Sequence, residues 1–185
     1  MTEHIRQIEL ITRKWLESIV IDLNLCPFAK AEYLKNRVRY SVSVSASASQ
    51  ELLLQELVVE LAILNKQSAI ETTLLITPHN LLDFETYNQF LDFTDAVLKQ
   101  MNLQGVFQIA SFHPDYQFAN TQQSDVENYT NRSPYPILHI LREASLESAI
   151  EAHPNTAAIP DNNIQTLREL GLPHMQRLLS NCYVL

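Results

Sequence analysis

Apolar residues Ile5, Ile8, Ile11, Trp15, Ile19 and Leu23 recur at spacings of three and four, which predicts one amphipathic helix over 2–24. Pro27 stops it, because proline offers no N–H and disfavours helical geometry at Cys26. The period then changes to two. Val38, Tyr40, Val42, Val44, Ala46 and Ala48 alternate with Arg37, Arg39, Ser41, Ser43, Ser45 and Ser47, as in a half-buried strand. Its small polar face suits solvent or the wall of a cleft. Ser47 or Ser49 can cap a second helix whose stripe is Leu53, Leu57, Leu61 and Leu64. The run 72–77, Thr-Thr-Leu-Leu-Ile-Thr, reads as a buried strand stopped by Pro78. A third helix is expected from its cap Asp83 to Met101, with Tyr87, Phe90, Leu91, Val97, Leu98 and Met101 facing inward. Gly105 then turns the chain into a third strand, 106–111.

From Phe112 to Ser133 neither period holds. A loop of that length is usually functional or disordered. The large anchors Phe112, Tyr116, Phe118, Tyr129 and Tyr135 argue for order. Ser133 as N-cap with Pro134 in the first turn predicts a helix to Ala152. Two more helices are expected, one capped by Asp161 and ended by Gly171, and one over 173–182.

The order α-β-α-β-α-β favours parallel strands joined by right-handed crossovers. The expected fold is a single α/β domain over 1–185. It has a small, mostly parallel three-stranded sheet packed with helices and a helical C-terminal region. A ferredoxin-like α+β arrangement is the alternative, and it needs a hairpin the pattern does not reveal. Ligands of open parallel sheets sit beyond the carboxyl ends of the strands. Ser47, Ser49, Pro78, His79, Phe112, His113 and Asp115 would then share one edge.

Composition narrows the chemistry. The net charge of -8 argues against nucleic acid, since no basic patch offsets it. No apolar run reaches the roughly 20 residues of a membrane helix. The first residues carry an early acid and do not read as a signal peptide. Two cysteines, Cys26 and Cys182, make no disulfide framework and suit reduced thiols in a cytoplasm. Only Gly105 and Gly171 are glycines, which excludes the glycine-rich dinucleotide and P-loop motifs.

Three strings stand out: Asn-Leu-Cys-Pro-Phe-Ala (24–29), Ser-Phe-His-Pro-Asp-Tyr-Gln-Phe-Ala (111–119), and Asn-Tyr-Thr-Asn-Arg-Ser-Pro-Tyr-Pro-Ile-Leu-His-Ile-Leu-Arg-Glu (128–143). With them the chain resembles, over nearly its whole length, a family of short bacterial proteins known only as a domain of unknown function. The resemblance implies a compact bacterial protein and brings no activity and no assigned residues.

The candidate chemistry rests on spacing. In extended backbone His113 and Asp115 point the same way. On the expected helix His139 and Glu143, four apart, share a face. His113, Asp115 and His139 could hold a divalent metal such as Zn, Fe or Mn. Without metal, the same groups with Glu143 suit acid–base work. The bland reading is a turn cap at His113 and a structural contact at His139. Cys26 could be a nucleophile if a base lies beside it, or simply a small apolar side chain. Asn131, Arg132 and Ser133 could clamp an anion at a helix start, or Arg132 could hold the loop shut through Asp125 or Glu127. The functions open at this point are three. One is an enzyme acting on a small anionic metabolite. The second is a non-catalytic small-ligand or metal-binding protein. The third is a structural or interaction protein whose polar residues form a buried network. The pattern leaves the oligomeric state undetermined.

Overall fold

A computed structural model of the protein describes residues 2–45, 49–153 and 155–184. The amphipathic N-terminal stripe forms α1, Thr2–Trp15, which runs on into a π-helical turn, Leu16–Ile21. Bonds five residues apart widen that turn: Asp22 N–H to Glu17 O at 3.0 Å and Leu25 N–H to Val20 O at 2.9 Å. Asn24, at φ 53, then turns the chain through the left-handed region, which asparagine tolerates. A short helix α2, Ala29–Leu34, leads into β1, Val38–Val42.

β1 is followed by α3 (Gln50–Lys66), β2 (Thr72–Ile76), α4 (Phe84–Gln100) and β3 (Phe107–Phe112). Two of the expected caps hold: Ser49 Oγ accepts the Leu52 N–H at 3.3 Å and Asp83 accepts that of Thr86 at 2.8 Å. The alternating run splits, since β1 ends at Val42 and residues 46–48, Ser47 among them, lie outside the described residues.

The region after β3 corrects the sequence reading. Residues 137–142 are a fourth strand, β4 (Ile137–Arg142), and the helix, α5 (Glu143–Ala152), starts only at Glu143. The sheet has four strands in the order β1-β2-β4-β3 and is mixed. β1 and β2 are parallel, and β4 runs antiparallel to both β2 and β3. It is therefore neither a mostly parallel three-stranded sheet nor a ferredoxin-like one. The missed strand has a physical cause. β4 is central and covered on both faces, so Ile137, Leu138 and Ile140 are all 0% exposed, and the period of two is lost. Pro134 and Pro136 imitate a helix start. The Ser133 hydroxyl instead donates to Tyr135 O at 2.6 Å.

Two cores flank the sheet. Leu75, Leu138, Ile140 and Phe107 pack against α3 and α4. Leu74, Ile76 and Ile137 pack on the other face against α1, the π turn, and the two last helices, α6 (Ile159–Leu170) and α7 (Leu172–Asn181). The polar side of β1 faces α3 and is half-buried there: Glu60 of α3, 5% exposed, accepts from Arg39 at 2.7 and 3.0 Å and from Ser41 at 2.9 Å.

Candidate functional site

Because β4 opposes its neighbours, β1, β2 and β3 all run the same way, and their carboxyl ends meet at one edge. Ser49, Pro78, His79, Phe112, His113 and Asp115 fall on it. The start of β4 lies there too. This edge has two halves of different character.

Over β3 and β4 it is sealed by the long loop. His113 is 0% exposed, with its ring against Phe84 and Tyr87 at centroid distances of 5.3 and 5.1 Å. Nδ1 accepts the Asp115 main-chain N–H at 3.0 Å, so Nε2 carries the proton and donates to Leu81 O at 2.9 Å. Both ring nitrogens are thus committed and the ring is neutral. Solvent cannot reach it although it lies near the surface, and this burial lowers its pKa. Asp115 meets the ring through its main-chain N–H.

Arg132 is 9% exposed. Its Nε donates to Tyr116 O at 3.3 Å, Nη2 donates to Gln123 O at 2.7 Å, and the guanidinium lies 4.8 Å from the Tyr129 ring centre. It holds the loop shut through carbonyls, and Glu127 pairs instead with Arg168 at 2.8 Å. Asn131 donates to Ser111 O at 3.0 Å. Asn128, 0% exposed, bonds Phe118 N–H, Thr121 and Gln122 O. Trp15 of α1 anchors this loop by donating to Arg132 O at 2.9 Å.

The expected pairing of His139 with Glu143 on a helix face is corrected. His139 lies in mid-strand opposite Leu74 and Ala110, and Glu143 begins α5. Glu143 donates its N–H to Val106 O at the far edge, roughly 20 Å along the strand from Ile137. His139 shares the α1 face of the sheet with Phe112, 6.0 Å away between ring centres, whereas His113 packs among the α4 aromatics of the other face. The two imidazoles are separated by the sheet. Thr72 Oγ1 donates to Ile140 O at 2.6 Å, so His139 Nε2 donates to Thr72 at 2.7 Å. The residue keeps some exposed surface, yet the protein packed around its ring pushes its pKa down to about 4. Among the described residues no three His, Cys, Asp or Glu side chains group as a metal set, and His113, Asp115 and His139 do not form one.

Cys26 is half-buried beside the α1-side core, and burial raises its pKa, the opposite of an activated nucleophile. Cys182 is buried and its pKa is raised likewise.

Over β1 and β2 the same edge is open. A cleft of about 220 Å³ is lined by Gln50, His79, Asn80, Leu81, Leu82 and Thr86. Gln50 and Thr86 belong to the first turns of α3 and α4, so two 17-residue helices direct their N-termini toward it. Asn80 is buried and donates to Ser45 O at 2.9 Å, tying the β1 and β2 loops together. His79 is exposed and lies against His4 of α1, with ring centres 5.9 Å apart. Leu81 has φ 57, a left-handed backbone rare for a branched residue. Its carbonyl is the one that His113 holds. A larger depression of about 560 Å³ lies over Asp161, Ile164, Gln165, Arg168 and Glu169, all on α6. Since one helix supplies its whole lining, no elements converge there.

Edge position places His79 at the site, but no spacing motif marks it. Asn80, Leu81, Gln50 and Thr86 carry no sequence signal, since a leucine forced left-handed looks like any other leucine. No helix is long and apolar enough to cross a membrane among the described residues.

A family model described as "Protein of unknown function (DUF1415)" matches residues 7–177. The chain belongs to this family. The match runs from α1 into α7, so the sheet, the sealed loop and the cleft of this DUF1415 chain all lie within it. No curated protein and no solved structure matches the chain.

Proposed function

We propose that this chain is a cytoplasmic small-ligand protein of bacterial origin that holds a small anionic metabolite in the cleft between the first turns of α3 and α4. One observation carries the reading: a lining residue, Leu81, is held in a left-handed conformation by a buried imidazole from the loop after β3. Backbone strain of order 1–3 kcal/mol persists where surrounding structure over-determines it, and such strain gathers at binding sites. His113 is then a positioning residue. His79 is the group that meets the ligand, with Gln50, Asn80 and Thr86 offering polar contacts. Helix N-termini favour negative charge, and the cleft's size suits a ligand of few heavy atoms.

Enzymatic chemistry in this cleft would rest on His79, the one imidazole among the described residues that line it. The alternative of a buried polar network describes the long loop well, and the two readings join at His113, whose network props the cleft. The test is a titration of isotope-labelled protein with inorganic phosphate and with small mono- and dicarboxylates, followed by NMR. Saturable shifts at Gln50, His79, Asn80 and Thr86, lost in His79→Ala, support the proposal. Shifts confined to other surfaces, or none at millimolar ligand, overturn it.

A further inference from the structure

β1 is an outer strand of the sheet, and its five residues are all half-buried, whereas those of β2 are all buried. The bonds at its ends fix which way its backbone faces. Ser43 N–H reaches Ile76 O at 2.8 Å, and Arg37 O accepts Glu71 N–H at 2.8 Å. Odd-numbered residues therefore bond β2. By the alternation of the ladder, the N–H and C=O groups of Val38, Tyr40 and Val42 point away from the sheet. Among the described residues no strand covers them. The usual defences of an edge, a proline or a bulge, are absent from Val38–Val42. The cations beside it are already engaged: Arg37 by Glu32 and Glu71, Arg39 by Glu60.

The strand is complementary to itself. In an antiparallel pair centred on Tyr40, the outward groups of Tyr40 meet those of a second Tyr40, and those of Val38 meet Val42. Arg39 faces Ser41 and Arg37 faces Ser43, so no cation faces a cation. Ser41 is held by Glu60 of its own chain, 2.9 Å away, so each Arg39 comes beside the other copy's carboxylate. The flank of α3 extends this surface. At 3.6 residues per turn, Leu52, Val59 and Ile63 lie on the outer side of α3 toward Glu60, the residue that reaches β1. Leu52 and Val59 are 45% and 55% exposed.

We propose that the open edge of β1, with the apolar flank of α3 beside it, is the interface of a two-fold homodimer in which the two sheets join into one. Its occupant is a second copy of this chain, because the charge pattern of the edge matches its own reversal.

Analytical ultracentrifugation of the full chain, from low micromolar to near-millimolar, tests the proposal. The expected result is a mass of two 21.2 kDa chains that dissociates on dilution. Val42→Pro removes an outward N–H while leaving the bonds to β2, and proline is tolerated at such edge positions. Val59→Glu places like charges on the shared flank without entering the core. Each variant, folded by circular dichroism, should weaken the dimer by about tenfold or more. If Val42→Pro does not fold, Val59→Glu decides alone. A wild-type chain that stays monomeric throughout, or a dimer that Val59→Glu leaves unchanged, overturns it.

Discussion

The two halves of the carboxyl edge carry similar residues to opposite ends. Over β3 and β4, His113, Asn128, Asn131 and Arg132 spend their donors on main-chain carbonyls, and the loop is closed over them. Over β1 and β2, Gln50 and His79 line an open cleft, and among the described residues only Asn80 there gives its amide to a main-chain carbonyl, Ser45 O. A long loop crossing a sheet edge has many main-chain groups without ladder partners, and each must be satisfied when buried. The density of His, Asn and Arg in 111–143 meets that need. A dense polar stretch therefore marks a backbone to be held at least as readily as a ligand to be bound.

The difference is tested most severely at Arg132. Arg132→Ala leaves the carbonyls of Tyr116 and Gln123 without their donors and uncovers Tyr129. The expected loss is about 4 kcal/mol, or about 12 °C in Tm by calorimetry. A loss below about 1 kcal/mol would mean that the loop is closed by something other than this guanidinium.

Acid should act on His139 and His113 next. The folded pKa of His139 is pushed down to about 4 by burial, while the unfolded ring titrates near 6.5. Between these values the unfolded chain binds the extra proton. The contribution is complete above about pH 6.5 and is lost as pH falls toward 4, by roughly 3 kcal/mol. His113, also lowered by burial, adds in the same direction. His139→Gln keeps an N–H for Thr72 and should flatten denaturant-derived stability across this window. An unchanged slope refutes the assignment.

How much of this was legible in the sequence depends on burial. The helices of α1, α3 and α4, and the caps Ser49 and Asp83, were readable because each has one wet face and one dry face. The shared edge was also readable, from the order of helices and strands. β4 was not: a strand dry on both sides has no alternation, and Leu-His-Ile-Leu-Arg-Glu fits a helix as well. That one misreading placed His139 and Glu143 on a helix face that does not exist. The long loop was recognised, but its side chains' partners are main-chain carbonyls, which no side-chain spacing can reveal. The cleft was the least legible feature, because the Leu81 carbonyl is bonded by a residue 32 positions away.

His113→Ala joins the two halves of the edge. It frees Leu81 O and the Asp115 N–H and opens space beside Phe84 and Tyr87. About 2 kcal/mol of stability should be lost. Because Leu81 lines the cleft, anion affinity should fall as well, in titrations run at a temperature where the variant is fully folded. Retention of full affinity would separate the sealed network from the cleft.

The smallest effect on stability belongs to His79, and it is the most informative. His79 is exposed and its ring contact is with His4 at the surface, so His79→Ala should stay within about 0.5 kcal/mol of the parent in chemical denaturation. If the cleft binds anions through this ring, the same substitution should weaken binding by about tenfold, the scale of one charge-assisted hydrogen bond. Its counterpart across the edge, Arg132, predicts the reverse ratio, a large loss of stability for a group that touches no ligand. Measuring both variants by denaturation and by anion titration therefore separates binding from holding within one pair of substitutions. Equal behaviour of the two would mean that the edge is one network and that the cleft is only its surface.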